Sequence, residues 1–166
     1  MPLSIHKQIR HSSLGTDLGD GHIDLLATIA TPVHYSSGQV VFSEGSAANA
    51  VSVMCAGKVA LDMHVPVRGS VRILTLGPGD LLGWSAVAGD GVMTSTATAL
   101  EDTDVLSLPM ASLRQLCDAD HTLGYALMTL VARSLAKRLR GTRLQMLDLF
   151  SETQPISNPP SGSVHR

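Results

Sequence analysis

The sequence predicts a mainly β protein with α elements, an antiparallel sandwich or barrel followed by a short helix and a long C-terminal helix. Three observations carry this expectation. Short Val-rich runs recur between residues 31 and 108, separated by Gly or Pro turns. No strand–helix–strand rhythm appears among them, which excludes a parallel α/β sheet. From Pro109 onward the apolar residues recur at spacings of three and four instead.

Residues 1–20 carry weak signals and are expected to form a flexible arm. Ile23, Leu26, Ala27 and Ala30 give helical spacing in the next segment, and Pro32 ends it. The strand runs are Val33–Tyr35, Gln39–Ser43, Val51–Cys55, Lys58–Val65, Val71–Leu76, Met93–Leu100 and Asp104–Leu108. Turns at Ser37-Gly38, Glu44-Gly45, Ala56-Gly57, Arg68-Gly69 and Gly77-Pro-Gly-Asp80 divide them. Val71, Ile73 and Thr75 alternate with Arg72, as on a strand with one wet face. Pro109 suits the first turn of a helix, and Met110, Leu113 and Leu116 follow at helical spacing. A long helix is then expected over residues 121–150, about 45 Å in length. Leu135, Leu139, Thr142, Met146 and Leu149 fall at seam-like spacing on its later half, which predicts a homodimer through residues 121–150. The competing reading packs the whole helix on its own barrel. Residues 151–166 are Ser/Pro-rich without periodicity and read as a disordered tail.

Composition narrows the class of protein. The chain has 166 residues, enough for one domain with a real core; 44% are hydrophobic and 16% charged, as in a folded, soluble protein. Aromatic residues make up only 3%, so Val, Leu, Ala and Met must build that core. A net charge of -2 gives no global attraction to nucleic acid. Two cysteines, Cys55 and Cys117, exclude a disulfide framework and a four-Cys cluster held by one chain. The first residues hold no secretory apolar stretch, and no run is long enough to span a membrane, so no membrane association is expected and the cytoplasm is the expected compartment.

The segment Gly79–Leu100, GDLLGWSAVAGDGVMTSTATAL, stands out. It reads as a turn, a very short helix, a loop and a strand, a backbone suited to an anion, yet it holds no Lys or Arg. Together with Ser37-Gly-Gln-Val-Val-Phe-Ser-Glu-Gly45, Val51-Ser-Val-Met-Cys-Ala-Gly-Lys-Val-Ala-Leu61 and Ala132-Arg-Ser-Leu-Ala-Lys-Arg-Leu139, its order and spacing resemble the cyclic-nucleotide-binding domain. That domain is the effector module of the catabolite-activator and fumarate–nitrate-regulator superfamily, and the resemblance covers residues 22–150. It implies a jelly roll (a double-stranded β-helix barrel) with a dimerisation helix. It also implies a phosphate site at the start of the short helix, with a Glu for the ribose hydroxyl and an Arg for the phosphate. Here the Glu position falls on Trp84 and the Arg position on Met93. Gly83, Trp84, Ser85 and Ala86 retain backbone NH groups, and Thr94, beside Ser95, keeps a hydroxyl.

The expected ligand residues are therefore Gly83, Trp84, Ser85, Ala86, Met93, Thr94, Ser95, Thr142 and Arg143, the last two from the long helix. Trp84 reads either as a stacking surface or as a rim aromatic over the barrel mouth. Thr142 reads equally as a ligand hydroxyl or a seam residue. Losing the Arg and the Glu weakens cyclic AMP recognition, since an Arg–phosphate pair is charge-assisted and often bidentate. Arg68 and Arg72 are the candidate replacement cations. The expected occupant is a cyclic nucleotide or another small anion; no resident cofactor is read from the sequence.

Other chemistries find less support. His22, His34, His64 and His121 are scattered without His-x-His or His-Glu-x-x-His spacing, so neither a metal site nor a cupin-type metalloenzyme is favoured, and the chain is not read as an enzyme. A haem reading would rest on His34, His64 or Cys55 and has nothing else behind it. Arg133, Lys137 and Arg140 share one helix face, which reads as a solvated side. Only residues 151–166 follow Phe150, leaving no room for a helix-turn-helix, so no direct sequence-specific DNA reading is expected. The functional expectation is a ligand-sensing regulatory module with a protein partner; a ligand-free interaction or scaffold module is the alternative.

Overall fold

The computed structural model describes residues 4–16 and 18–151, with side chains as far as Arg143. Two helices, α1 (Ile5–His11) and α2 (Asp20–Ile29), precede the strands. Then come β1 (Thr31–Tyr35), β2 (Val40–Phe42), β3 (Ala50–Ala56), β4 (Val59–Val65), β5 (Gly69–Leu76) and β6 (Leu81–Leu82). The short helix α3 (Ser85–Ala88) is followed by β7 (Thr96–Ala99) and β8 (Thr103–Pro109). Two helices, α4 (Met110–Ala119) and α5 (His121–Ser151), close the described chain. The strands form two antiparallel four-stranded sheets, ordered β1-β8-β3-β6 and β2-β7-β4-β5. The predicted mainly β class with a jelly-roll barrel and trailing helices holds.

Two apolar cores explain why these runs become these strands. One lies between the sheets and gathers Met54, Val59, Leu61, Leu76, Leu82, Ala97 and Val105. The other lies between the first sheet and the helices, and includes Val51, Val53, Leu81, Leu106 and Leu108. Neighbours such as Val105 and Leu106, or Leu81 and Leu82, therefore point into different cores. That first sheet is covered on both faces. Its strands accordingly read as near-continuous apolar runs rather than as alternating ones.

The expected strands hold in position, with ends shifted by a residue or a few. The Met93–Leu100 run shortens to β7, because residues 91–93 instead bond to the 45–48 loop through Met93 N to Ser46 O and Gly45 N to Met93 O, both 2.8 Å. The two-residue β6 was not anticipated. It exists only through pairing of Leu81 and Leu82 with Val53 and Ser52.

The N-terminal segment differs from a loose arm. Ile9 is 0% exposed and Leu14 3%, and both join Ile23, Leu26 and Leu113 in the helix-side core. Ser12 reinforces the end of α1 through its hydroxyl, which donates to the Ile9 carbonyl at 2.6 Å. A seven-residue helix has almost no stability alone, so its periodicity is a weak signal and only docking fixes it.

The first half of α5 packs as a core helix: Leu123, Leu127, Leu130 and Val131 are all buried. Farther along, Leu139 is 54% exposed. The helix thus outruns its own barrel, against the reading that packs its whole length there. The side chains of the seam positions Met146 and Leu149 and residues 152–166 of the tail lie outside what the structure describes, while Ser151 ends α5.

If α1 is part of the core, Ile9→Ala should cost about 2–5 kcal/mol. Urea denaturation checks this, and an unchanged midpoint would return the segment to a loose arm.

Candidate functional site

The site is built outward from one turn. Residues 77–80 close on themselves: the Asp80 amide donates to the Gly77 carbonyl, and the Gly77 amide to Asp80 Oδ2, both at 3.0 Å. The turn is stitched to β3, since Gly79 N donates to the Met54 carbonyl and Met54 N to the Asp80 carbonyl. After β6 the chain must turn sharply, and Gly83 does so at φ +76°. A side chain there would be strained, and a Cβ would sit 2.9 Å from the Ala50 carbonyl oxygen. Trp84 then opens α3, and Ala86 N is the first amide of this turn to bond back, to Gly83 O at 3.0 Å.

Facing this cassette is α5, and between them lies a cavity of about 590 Å³. Trp84, Thr94 and Ser95 line it from the cassette side. Leu61 and Met63 of β4, with Ile73 and Thr75 of β5, form a second wall. Ser134, Leu135, Lys137, Arg138, Leu139 and Thr142 close it from α5. The lining is mostly apolar with scattered hydroxyls, as in sites for drug-sized ligands. Two other cavities, of about 490 and 430 Å³, lie against α1 and touch neither Trp84 nor residues 93–95.

The cavity's cations come from the helix. The Arg138 guanidinium is partly buried and donates to the Leu81 carbonyl. Burial lowers its pKa while the charge of Asp80 works the other way, and it remains a cation. Lys137 Nζ pairs with Asp80 Oδ1 at 3.2 Å, but it is 80% exposed, so this pair is weak by itself. Asp80 is the one carboxylate among the lining residues. The local sum of Lys137, Arg138 and Asp80 is a single positive charge at the α5 end.

The sequence-predicted residues divide. Trp84, Thr94, Ser95 and Thr142 line the cavity; Gly83, Ser85, Ala86, Met93 and Arg143 do not. For the side chain of Met93 this is a correction. It is 6% exposed and packs with Ala48 and Ala86 against Phe42, under α3. An apolar side chain at that position is drawn into the core, so it is neither a ligand contact nor a plug. Ala86 is buried in the same cluster, Ser85 is buried as well, and Arg143 is exposed. Arg68 and Arg72 are also absent from the lining; Arg72 Nε pairs instead with Asp62 Oδ1 at 3.0 Å across the β4–β5 ladder.

Sequence reasoning missed Arg138, although a signal existed. Leu135, Arg138, Leu139 and Thr142 are spaced i, i+3, i+4, i+7, so the arginine shares the seam face and not the solvated face of Arg133, Lys137 and Arg140. Lys137 was placed on that solvated face, and its reach to Asp80 is a tertiary contact. Of the histidines, His34 Nδ1 pairs with Asp104 Oδ1 at 2.8 Å, which raises its pKa. Among the described residues no cluster of His, Cys, Asp or Glu has the geometry to hold a metal ion.

Where α5 starts is set by Asp120. Its Oδ1 accepts from the Thr122 amide at 2.9 Å and the Leu123 amide at 3.2 Å, and its Oδ2 meets His22 Nε2 at 3.0 Å. These amides are ones a helix start leaves without internal partners.

A jelly roll with a glycine-turn cassette set across a cavity from a long helix places the chain in the class of small-ligand-binding β-barrel domains. Residues 32–120 match the family model of the cyclic nucleotide-binding domain, and the chain belongs to that family. It is 32% identical over 148 residues to the Cyclic AMP receptor protein of Thermus thermophilus, covering 86% of this chain and 64% of that protein. It is 30% identical over 125 residues to the CRP-like cAMP-activated global transcriptional regulator of Mycobacterium tuberculosis, covering 75% and 54%. The chain thus spans only about half to two-thirds of these relatives. Among solved structures, the N-terminal domain of a transcriptional regulator from Streptomyces coelicolor A3(2) superposes with a TM-score of 0.66 at 28% identity, over 78% of this chain and 93% of that one. The matching family is a binding domain, not a catalytic one. Among the described residues no helix is long and apolar enough to cross a membrane.

The Leu123 amide, first, and then the Thr122 amide and His22 hold Asp120 below its ordinary carboxylate pKa of 3.8. A depressed folded value adds stability above the unfolded pKa and loses it as pH falls through the folded one. Thermal melts from pH 5 to pH 2.5 should therefore fall more steeply for the native protein than for Asp120→Asn; parallel slopes would refute the assignment.

Proposed function

We propose that this chain is a small-ligand-sensing regulatory module, homodimeric through residues 121–150, whose ligand occupies the cavity between the 79–96 cassette and α5. The observation that carries the reading is the cavity itself. It is open, of ligand size, and bounded on one side by the helix that would transmit the signal. A ligand can shift a conformational equilibrium only by binding one state better than the other. A site sharing a wall with α5 meets that requirement directly, because any change in the seating of α5 changes the site. The scaffold alternative needs a cavity filled by the Trp84 and Met93 side chains. Met93 packs elsewhere, which favours the ligand reading.

The ligand is proposed to differ from cyclic AMP bound in the family's usual manner. At position 93 there is no cation, and at position 84 an indole stands where a carboxylate would read the ribose. Each lost charge-assisted contact removes about 1.5–3 kcal/mol, or roughly one to two orders of magnitude in affinity. Dimerisation is supported by Leu139, 54% exposed, and Met128, 48% exposed, on a helix that extends past its own core. The proposed reader of the helix is a protein partner in the cytoplasm.

Calorimetry with cyclic AMP, cyclic GMP and cyclic dinucleotides tests sensing. Binding of at least one nucleotide is expected, with cyclic AMP weak; silence across the panel at millimolar concentration would sink it. Leu139→Glu should shift the dimer toward monomer in sedimentation velocity, and an unaltered sedimentation coefficient would argue against the α5 seam.

A further inference from the structure

Arg133, Lys137 and Arg140 share one face of α5, and the first two line a cavity of about 430 Å³ while Arg140 does not. Three pieces of chain, distant in sequence, enclose this space. α5 supplies the two cations and Ser134, the stretch that leads into β6 supplies residues 78–81, and the end of α1 with the loop after it supplies residues 11–13 and Thr16.

The wall beside α1 is firmly built. Ile9 and Leu14 seat it in the helix-side core. The Gly15 amide donates to the Ser12 carbonyl at 3.1 Å, and the chain folds so closely over the end of α1 that a Cβ at Gly15 would overlap the Arg10 carbonyl. Its hydroxyls are not equivalent. Ser12 commits its own to the Ile9 carbonyl. Ser13 does not: its Oγ is the one side-chain polar atom buried without a hydrogen-bond partner among the described residues. Native structures leave few such groups, and each calls for an explanation. The residue itself is partly exposed and lines the cavity, so one χ1 rotation turns the hydroxyl toward it with no bond to give up.

The charges favour an anion. Among the described lining residues Asp80 is the one carboxylate, set against Arg133 and Lys137. Like charges at i and i+4 on a helix repel, and an anion between them removes that repulsion. The Arg133 guanidinium is a planar fork that matches two oxygens at once, whereas Lys137, 80% exposed and paired with Asp80, adds a point charge. The His11 ring is tied to α1, its Nδ1 donating to the Lys7 carbonyl at 2.7 Å. Size then separates a bare ion from an organic one. The volume lies in the range of pockets that take small organic molecules. The cavity also continues past His11 and Pro78 into the one of about 490 Å³, whose wall includes Pro32, Val33 and Met54.

We propose that this cavity is a second ligand site, which takes the oxyanion of a small phosphate monoester between Arg133, Lys137 and the Ser13 hydroxyl. It makes no use of Trp84, Thr94 or Ser95, and an ester bound there ties the loop after α1 to α5. Asp80, Ser134 and Lys137 border both this cavity and the one across from the cassette, so Arg133 and Ser13 are the residues that tell the two apart.

The probes are phenyl phosphate, inorganic phosphate and neutral benzyl alcohol, titrated by calorimetry in chloride buffer of fixed ionic strength. Phenyl phosphate should bind, inorganic phosphate should bind more weakly, and benzyl alcohol should not bind. Arg133→Met should weaken phenyl phosphate about tenfold, through loss of a charge-assisted contact. Ser13→Ala should weaken it about threefold, yet melt no lower than the native protein without ligand, because its hydroxyl makes no bond there. Arg140→Met, on the same helix face but outside the lining, should bind as the native protein does. Circular dichroism checks each fold, and if one of the two site variants does not fold the other decides. No binding of phenyl phosphate, or unaltered binding in folded Arg133→Met, overturns the site. Equal weakening by Arg140→Met and Arg133→Met overturns it as well, since that marks general attraction to a basic helix. Inorganic phosphate binding as tightly as the ester overturns the ester and leaves a bare-ion site. Loss of binding in Thr94→Val, with Arg133→Met unaffected, moves the anion to the cassette cavity and overturns the inference. Failure here leaves sensing at the cassette cavity standing, because the nucleotide panel tests that separately.

Discussion

The attachment of α5 to the turn that opens the cassette is the contact on which the site depends. Arg138 donates to the Leu81 carbonyl, and Lys137 reaches Asp80 one residue earlier. Asp80 in turn accepts the Gly77 amide that closes the turn, and the turn is bonded to β3 through Met54. One short stretch, residues 77–81, thus fixes both the entry to the cassette and the position of the helix. Of the two links, the partly buried guanidinium matters more. A solvated ion pair gains little over its hydration, while a buried donor left without its acceptor is costly. The first half of α5 needs no such device, since Leu123, Leu127, Leu130 and Val131 hold it by burial.

Beyond Val131 the helix loses most of its apolar contacts with its own barrel, and this is where the cavity opens. Leu135 is partly buried against the helix-side core, and Leu139 is half exposed. A cavity survives because one of its walls is a helix held at discrete points rather than packed along its length. The same geometry leaves apolar surface on α5, which is the physical basis for proposing a second copy as its cover.

Met93 is drawn into the core, while the cations that line the cavity, Lys137 and Arg138, stand on α5. A cation at position 93 would have to stay out of the apolar cluster formed by Phe42, Ala48 and Ala86. Methionine enters that cluster and firms the floor beneath α3. The positive charge of the site is carried by the opposite wall, on a residue whose guanidinium has a carbonyl acceptor close at hand. The cassette keeps its backbone, enforced by Gly83 against Ala50, but presents an indole and hydroxyls where charged groups would otherwise stand.

How much of this was legible in the sequence differs by element. The class of fold, the strand runs, the Pro109 boundary and the long helix were all readable, because they follow from periodicity and from Gly and Pro placement, which are local. Trp84, Thr94, Ser95 and Thr142 were expected through the family resemblance, which maps positions by motif order, and all four line the cavity. The docking of α1 was not, since one buried Ile9 in a short helix leaves almost no periodic signal. Nor was the inward path of Met93, because whether a methionine points at a ligand or at a core depends on which face of a loop is covered. Arg138 was legible in principle from its place on the seam face, yet its meaning required the Leu81 carbonyl, 57 residues away in the chain. By itself, then, the sequence determined the elements and the backbone of the cassette, because those are set by each residue's own conformational preferences and its near neighbours. Only the tertiary structure decided which wall carries the charge, because that depends on side chains distant in sequence meeting across a space no single segment encloses.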